Sequence, residues 1–519
     1  MIIDKVHNGP DGIAVPGNVP VVRMAEAAPG VERSEAPTIE RTGKSLYVSR
    51  VKVYPKRAHG TFRTVKWIVM AVTLSIYYLV PWIRWDRGPY LPNQAVLIDF
   101  PSRRFFFFFL EIWPQEFYYV TGLLVLAALG LFLATAIAGR VWCGYACPQT
   151  VWTDLMIAVE RFFQGDRNAR IRLDKAPWTF EWVWRKGATH LTWLLIAIAT
   201  GGAWVFYFAD APTLARQFLH FDAPMIAYVF VGLFTATTYL LGGIAREQVC
   251  IYMCPWPRIQ GGMIDHDSLL ISYRAWRGEP RGPHKAGQSW EGHGDCVDCR
   301  QCIAVCPTGI DIRNGSQLEC IQCALCVDAC NEIMDKVGRP RGLIAYDTIR
   351  NLQAPGSEIL PVPWFRPRVV LYATLMAIVG LIMLTALMLR AELEVSVLHD
   401  RNPVYVKLSD GGLRNGYTLK LLNKRYEPRN FRIGISGLAG AKLTIVGHEH
   451  ETDPVITVAP DELQPIRVYV ALDKAGVRAL AKEDEDEDEA ESVEFYFTVT
   501  DTKDGNFAEH KANFQGPER

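Results

Sequence analysis

The sequence lacks net charge, since 55 lysines and arginines balance 55 aspartates and glutamates over 519 residues. This balance argues against a polybasic nucleic-acid-binding protein. The sequence has no G-x-G-x-x-G or Walker pattern, so nothing in it supports dinucleotide or ATP binding. Cysteine is absent from residues 390–519, although the chain has 12 cysteines. Half of the residues are hydrophobic, and the mean hydropathy of +0.06 therefore reflects a mixture of apolar and polar segments.

Five uncharged apolar runs are each long enough to cross a bilayer as a helix, which takes about 20 residues. They predict membrane spans at residues 67–83, 117–138, 188–208, 223–245 and 369–389. A buried helix of a soluble core is the alternative, but uncharged runs of this length are rare in such cores. The shorter run at 105–109 predicts an interfacial segment in the headgroup region.

Lysine and arginine are concentrated before the first apolar run and between the second and third, which predicts that these segments are cytoplasmic. Five crossings then place residues 246–368 in the cytoplasm and residues 390–519 outside. Charge follows the same division, because residues 390–519 hold 17 basic and 24 acidic side chains. Residues 1–48 are polar and rich in Gly, Pro, Ala and Glu, which predicts a disordered cytoplasmic tail without a cleavable signal peptide.

Eight cysteines form two ferredoxin-type runs in the predicted cytoplasmic segment, where thiols stay reduced and available to metals. In bacterial two-cluster ferredoxins, the fourth cysteine of each run binds the other cluster. Structural zinc is the alternative, but its paired C-x-x-C knuckles are usually separated by a longer loop. The loop residues Asp298, Arg300 and Gln301 are expected to be solvated. We therefore expect one 4Fe-4S cluster on Cys296, Cys299, Cys302 and Cys330, and another on Cys306, Cys320, Cys323 and Cys326.

The other four cysteines occur in two C-x-x-x-C-P motifs that follow the second and fourth apolar runs. The motifs are Cys143-Gly-Tyr-Ala-Cys147-Pro148 and Cys250-Ile-Tyr-Met-Cys254-Pro255. A spacing of four puts both sulfurs of a pair on one helical face, and proline marks where the helix stops or kinks. Two such helices side by side would offer four thiolates to one redox or metal site. Soft sulfur ligands favour Cu(I), iron–sulfur or zinc, and Met253 could add a thioether.

Packing of these four cysteines as small apolar residues is the alternative to a metal or redox role. Two matching pairs at matching depths favour the metal or redox role, and they suggest a distant internal duplication. A membrane haem with two histidine ligands is not supported, because His190 is the one histidine that lies within the predicted spans.

Beyond the fifth apolar run, short alternating runs separated by turn residues predict an all-β sandwich. These runs are residues 405–408, 417–422, 431–435, 443–446, 466–472 and 493–500. Seven consecutive acidic residues at 483–489 predict a solvated loop between two strands, because like charges at that density repel.

The combined motifs resemble the FixG/RdxA/CcoG-type accessory proteins of cytochrome c oxidase. The resemblance covers the segment WCGYACPQTVW at 142–152, the second pair CIYMCP, the two ferredoxin-type runs, the fifth span and a terminal domain that is immunoglobulin-like in that family. It implies a bacterial inner-membrane protein that supports maturation of a cbb-type haem–copper oxidase by reducing Cu(II) to Cu(I). The expected partners are a cytosolic electron donor, the copper ion, oxidase subunits or copper chaperones, and membrane lipid; a homodimer is left open.

The predicted fold class is a multi-domain membrane protein. Residues 49–255 hold four transmembrane helices, 256–368 a cytoplasmic dicluster ferredoxin-like (α+β) domain, 369–389 the fifth helix, and 390–519 a periplasmic immunoglobulin-like sandwich. The functional hypothesis is a cupric reductase in which electrons pass from the donor through the clusters to a copper site at Cys143, Cys147, Cys250 and Cys254. The alternatives are an assembly scaffold with structural or redox-sensing clusters, and an electron-transfer subunit of a quinol-linked reductase. No sequence motif identifies a quinone pocket.

Overall fold

The computed structural model describes residues 52–516, except 89–90, 286, 354–359, 391–392, 426, 450, 452–453, 461 and 478–491. The predicted tail at 1–48 and the acidic run at 483–489 lie outside the described residues. The chain divides into two compact units. The first comprises Met1–Trp85 and Gln94–Met383, and the second comprises Asp86–Asn93 and Leu384–Arg519.

Five helices in the described part of the chain are long and apolar enough to cross a membrane. They are Thr61–Trp82, Pro114–Ala138, Phe180–Val205, Met225–Ala245 and Pro367–Met388. All five predicted spans are confirmed as apolar helices, although the first and third begin earlier than expected. The first includes charged residues because Arg63 is buried against Asp154, with Nη1 and Oδ2 2.8 Å apart. The third begins where the Thr179 hydroxyl accepts a hydrogen bond from the Trp182 amide and caps the helix.

Short helices connect the long ones, and several of the cysteines lie in these short helices or next to them. The α-helices are α1 Thr61–Leu79, α2 Tyr118–Ala138, α3 Val141–Tyr145, α4 Pro148–Gln164, α5 Arg167–Lys175, α6 Phe180–Val205, α7 Ala211–Leu219, α8 Met225–Thr237, α9 Trp256–Met263, α10 Ala275–Gly278, α11 Gln301–Ala304, α12 Leu325–Lys336, α13 Ile349–Gln353 and α14 Pro367–Met388. Between α8 and α9 the chain forms two π-helical segments, Thr238–Ala245 and Val249–Met253. π-Helical turns are rare and occur frequently at functional sites.

Two small antiparallel sheets belong to the first unit. β1 Val96–Asp99, β2 Arg104–Phe107 and β3 Leu110–Ile112 form one sheet, so most of the phenylalanine run at 105–109 lies in a strand. β4 Leu270–Tyr273 pairs with β5 Ile344–Asp347. Both ferredoxin-type cysteine runs lie between these two strands in the chain, so the pairing brings the two ends of that segment together.

The cysteine-rich region packs directly on the ends of the long helices. The Asp328 carboxylate on α12 accepts hydrogen bonds from the Phe62 and Arg63 amides at the start of α1, at 3.3 and 2.7 Å. At the end of α2, the Ala136 carbonyl accepts a hydrogen bond from the Ser268 hydroxyl at 2.7 Å. These contacts satisfy backbone groups that helix ends leave without partners, and they join both regions in one unit.

The second unit is a β-sandwich with an apolar core. Its strands are β6 Leu393–His399, β7 Val406–Lys407, β8 Leu413–Asn423, β9 Arg429–Ser436, β10 Lys442–Ile445, β11 Val455–Val458, β12 Leu463–Leu472, β13 Ser492–Asp501 and β14 Phe507–Gln515. One sheet has the order β10-β12-β8-β6 with β7 beside β8, and the other has the order β11-β9-β13-β14. Inward residues of both sheets, such as Leu419 and Phe497, share one buried core. Each of the six alternating runs overlaps a strand, which confirms the predicted β-rich region.

Candidate functional site

The two C-x-x-C-x-x-C loops have the same unusual backbone. The residues on either side of the middle cysteine adopt left-handed conformations in both loops: Asp298 and Arg300 with φ of 49° and 56°, and Gln322 and Ala324 with φ of 54° and 59°. Non-glycine residues rarely adopt this conformation, which costs about 1–3 kcal/mol when the surroundings impose it. The paired turns direct successive backbone amides inward, as in the concave anion-binding sites that hold iron–sulfur clusters.

Each loop lines a cavity together with cysteine from the other run. A cavity of about 360 Å³ is lined by four cysteines, namely Cys296, Cys299, Cys302 and Cys330. A second cavity of about 350 Å³ is lined by Cys306, Cys320, Cys323 and Cys326, with Cys302 at its edge. The structure therefore brings together both interlocked sets that the spacing predicts. Four thiols around a small cavity fit the donor set of a 4Fe-4S cluster.

Burial controls the chemistry of these thiols. It raises the pKa of Cys299 to about 11 and the pKa of Cys320 to about 12, and it raises the pKa of Cys302 well above its ordinary value. Backbone amides act in the opposite direction, since those of Gln301 and Gln322 donate to the sulfurs of Cys299 and Cys320. The site thus has donors for bound thiolates, although its apolar walls favour the neutral thiol.

Two of the loop residues expected to be solvated have structural contacts, so that expectation was wrong for them. The Asp298 carboxylate pairs with the Arg313 guanidinium at 2.6 Å, and Arg313 lines the first cavity. Gln301 is buried and accepts a hydrogen bond from the Lys56 ammonium at 3.2 Å. Sequence spacing did not reveal these contacts because Lys56 and Arg313 lie outside the cysteine loop.

Each C-x-x-x-C-P motif forms a helical turn that ends before its second cysteine. Cys143 lies in α3 and Cys250 lies in the second π-helical segment, whereas Cys147 and Cys254 have extended backbones with ψ of 128° and 121°. The expectation that each pair lies on one helical face was therefore wrong in detail. A proline disfavours helical conformation in the residue before it, which explains the break at both second cysteines. Pro148 then opens α4.

The four thiols of these motifs lie within electrostatic reach of one another. The pKa of Cys143 is raised to about 11 and that of Cys250 to about 12, chiefly by burial, and the neighbouring Cys147 and Cys254 contribute to both shifts. The Cys143 thiol donates a hydrogen bond to the buried Gln260 amide oxygen at 3.3 Å. Among the residues that the structure describes, no three His, Cys, Asp or Glu side chains converge closely enough to hold a single metal ion.

Gly144 and Arg140 join the first C-x-x-x-C-P motif to the second ferredoxin-type loop. A Cβ atom on Gly144 would lie 2.8 Å from the Ile321 carbonyl oxygen and 3.0 Å from the Cys323 Cα atom. The Arg140 amide donates to the Gln322 side-chain oxygen at 2.9 Å. The loop and the motif are therefore in direct backbone contact, which only glycine permits at position 144.

The Arg140 guanidinium extends this connection to the second motif. It donates to the Cys320 carbonyl at 3.1 Å and to the Pro257 carbonyl, just beyond the second motif, at 2.6 Å. Arg140 is buried, and Cys143, Cys320 and Cys250 all interact with its charge. Sequence analysis missed this residue because it counted Arg140 only as a cation near a span end.

One apolar cluster contains thiols of both kinds. Ile321, Cys323 and Leu325 are buried in it, and Cys143, Cys250 and Cys326 pack against it. Met253, by contrast, has 62% of its surface exposed. Its suggested role as a thioether ligand remains a prediction.

Three family profiles together match more than half of this chain. A profile described as a 4Fe-4S dicluster domain matches residues 245–349, and one described as a 4Fe-4S binding domain matches residues 120–168. A third, for the immunoglobulin-like fold at the C-terminus of FixG, matches residues 383–517. The chain is 52% identical over 477 residues to the nitrogen fixation protein FixG of Rhizobium meliloti (strain 1021), covering 86% of this chain and 91% of that protein.

The chain belongs to the FixG family. Protein RdxB of Cereibacter sphaeroides is 51% identical over 478 residues, which cover 91% of this chain and 98% of the relative. Protein RdxA of the same organism is 52% identical over 429 residues, which cover 82% of this chain and 90% of the relative. A solved FixG-related protein from Vibrio parahaemolyticus matches 24% of this chain at 21% identity with a TM-score of 0.18.

Membership of the FixG family confirms the resemblance of the sequence motifs. Together with the matching iron–sulfur profiles, it identifies an iron–sulfur protein of electron transport with an immunoglobulin-like C-terminal domain. The five apolar helices identify a multi-pass membrane protein. The 4Fe-4S binding profile at 120–168 includes Cys143 and Cys147, so the described cysteines outside the ferredoxin-type runs also lie in regions matched by iron–sulfur profiles.

Proposed function

We propose that this FixG-family chain is a membrane cupric reductase that supports assembly of a cbb-type cytochrome c oxidase. In this proposal, a Cu(II) substrate binds at Cys143, Cys147, Cys250 and Cys254. Cu(II) takes up one electron, which originates from a cytosolic donor, and the soft thiolates retain Cu(I) until transfer.

The iron–sulfur sites adjoin these thiols. One 4Fe-4S cluster is assigned to Cys296, Cys299, Cys302 and Cys330, and the other to Cys306, Cys320, Cys323 and Cys326, because each set lines its own cavity. When bound, the clusters supply one-electron transfer at potentials that the protein tunes. The chain positions the second cavity beside the copper-binding thiols through Arg140 and Gly144.

The contact at Gly144 is the observation that carries the proposal. A structural cluster has no need to adjoin a reactive thiol pair, whereas electron transfer requires short separations between redox sites. Backbone contact between residue 144 and residues 321–323 keeps that separation short. The shared apolar cluster around Ile321 and Cys323 also packs against thiols of both groups, Cys143 and Cys250 on one side and Cys326 on the other.

The proposed topology places the N-terminus and both cysteine groups in the cytoplasm and the sandwich in the periplasm. The sandwich would bind an oxidase subunit or a copper chaperone. Fusion of a reporter that is active only in the periplasm after residue 519 should give activity, and the same reporter fused within 279–292 should be silent. The reverse pattern would reject this orientation.

The decisive experiment compares cupric reduction by the purified full chain and by the double variant Cys143→Ser/Cys254→Ser. The variant should keep the EPR signals of both clusters, and it should lose reduction of Cu(II) when the pre-reduced protein, freed of excess reductant, is mixed with Cu(II). Ala146→Ser is the matched control, because it introduces a serine between Cys143 and Cys147 and leaves all thiols in place. Unchanged reduction in the double variant would reject the thiol site, and negligible reduction by the wild type would favour an assembly scaffold.

A further inference from the structure

A cavity of about 740 Å³ lies away from the cysteines, where the inner parts of α4 and α6 meet the first π-helical segment. Its walls include Glu160 and Gln164 from α4, His190 and Trp193 from α6, and Gly243 from the π-helical segment. The cavity is about twice as large as either four-cysteine cavity. None of the residues assigned above to copper or iron lines it.

The charged groups around this cavity are paired with one another. Glu160 is buried and accepts from Arg170 and Arg246, each at 3.0 Å. Asp174 pairs with Lys52 at 2.5 Å and also with Lys186. Four cations therefore surround two carboxylates, and the cavity has many hydrogen-bond donors.

The side-chain amide of Gln164 is only half satisfied by hydrogen bonds in this wall. Its amide nitrogen donates to the Thr189 hydroxyl at 2.8 Å, whereas its amide oxygen is buried and has no hydrogen-bond partner among the described residues. Only 2% of Gln164 is exposed. A buried acceptor without a partner is destabilising, so this position suits a ligand that donates a hydrogen bond.

The remaining walls are aromatic and the surrounding surface is apolar. His190 Nδ1 and the Tyr239 hydroxyl are hydrogen-bonded at 2.8 Å, and the Trp193 indole lies edge-on to the His190 ring at 5.1 Å between centroids. Leu191, Leu194 and Leu240 are exposed on the same helical segments, which are apolar enough to cross a membrane. A ligand with a flat polar head and a long apolar tail matches this combination.

We infer that this cavity binds the headgroup of a membrane quinone or quinol. Its ring oxygens would accept hydrogen bonds from the cationic side chains, and in the quinol form a ring hydroxyl would donate to the Gln164 amide oxygen. The apolar tail would leave beside Leu191 and Leu240. This inference concerns binding alone and rests on the cavity, so a chain that bound quinone without reducing Cu(II) would satisfy it and would refute the proposed function.

An anionic lipid headgroup is the competing ligand class, because the cations outnumber the carboxylates. A phosphodiester offers acceptors only, however, and it would leave the Gln164 oxygen without a donor. Each of the lysines and Arg246 also has a carboxylate partner already. The Gln164 oxygen therefore favours the quinol.

The test uses the full-length protein in nanodiscs of zwitterionic lipid and a photoreactive azido-benzoquinone with a decyl tail. Labelling should map to peptides that contain residues 186–193 and 239–246, and an excess of decylubiquinone or of decylubiquinol should compete. Gln164→Leu should weaken the apparent affinity for decylubiquinol, measured by this competition, at least tenfold, because the quinol hydroxyl loses its acceptor. Gln217→Leu, the same substitution on α7 outside the cavity, should stay within twofold of the wild type.

A second variant keeps the inference testable if Gln164→Leu unfolds. Ile244→Trp adds bulk at a partly exposed cavity residue, and it should abolish competable labelling while the cluster EPR signals persist. Labelling that is unchanged in both variants would overturn the inference. So would displacement of the probe by phosphatidylglycerol but not by decylubiquinone, which would identify an anionic-lipid site.

Discussion

The two groups of cysteines in the first unit are built in different ways. Around the ferredoxin-type cavities, left-handed residues turn the backbone about each middle cysteine, and backbone amides donate to the sulfurs. The C-x-x-x-C-P cysteines lie on short helical turns broken by proline, and Cys143 uses a side-chain amide, that of Gln260, as its acceptor. The first arrangement is fixed by strained backbone, and the second by side chains that can change rotamer.

This difference separates a permanent ligand from a passing one. A strained loop is stable only if the binding free energy of a tightly bound group offsets the conformational cost of the loop, as metal binding stabilises folding at a structural metal site. A substrate metal needs the opposite, because ligands that hold it too rigidly would not release it. The comparison therefore assigns resident clusters to the left-handed loops, and it favours the proline-broken turns for the exchangeable copper of the proposed function.

Removing one cysteine from each group gives the largest expected difference between them. Cys323→Ser should lower the iron content to about half or less, and it should destabilise the ferredoxin-type part of the unit, because a bound cluster no longer holds Gln322 and Ala324 in their left-handed conformations. Cys147→Ser should leave the iron content unchanged. Iron analysis and EPR of anaerobically purified protein measure both, and equal iron loss in the two variants would mean that the groups do not differ.

A methyl group at Gly144 tests whether the two groups must touch. Gly144→Ala places Cβ 2.8 Å from a carbonyl oxygen, so the contact must open, at a cost of about 1–3 kcal/mol as for other overpacked sites. We expect slower cupric reduction with the iron content retained. Gly187→Ala in α6, where a Cβ meets nothing within 4 Å, is the control. Reduction at the wild-type rate in Gly144→Ala would show that the contact is dispensable.

The charge of Arg140 gives a smaller effect that distinguishes electrostatics from packing. Arg140→Gln removes a buried cation near Cys320, so the reduced cluster loses a stabilising charge and its reduction potential should become more negative. An EPR-monitored redox titration measures this shift. Arg172→Gln on the exposed face of α5 should leave both potentials unchanged. A shift in the opposite direction would exclude the electrostatic role.

The smallest effect belongs to the sandwich, which has no cysteine. The buried Tyr417 hydroxyl donates to the Asn513 carbonyl at 2.8 Å, so Tyr417→Phe should destabilise the sandwich by about 1 kcal/mol. In thermal unfolding of the full chain, the transition of the sandwich should move to lower temperature. The cluster absorbance should be lost at the same temperature as in the wild type. Loss of iron in Tyr417→Phe would contradict the independence of the two units.

Local patterns were enough to predict most of the fold. Apolar length located the five spans, alternation located six strands, and cysteine spacing gave the two sets that line the cavities. The strands β6, β11 and β14 were not among the six runs, and in β14 only Ala512 and Phe514 are buried, so little alternation is visible there. Contacts between distant residues, such as those of Arg140 and Gln322, leave no local pattern. The cavity near Gln164 was unpredictable for the same reason, because it is formed by three separate helical segments.

The Asp328 cap of α1 has a consequence for biogenesis. The first span emerges from the ribosome long before residue 328 exists, so the amides of Phe62 and Arg63 gain their carboxylate partner only after the cysteine-rich region has been made and folded. In iron-starved cells we expect residues 52–60 to be cleaved readily by protease, and iron repletion should protect them. The start of the first span would then be completed by a region that is made much later, and chains that never received iron would remain open to proteolysis.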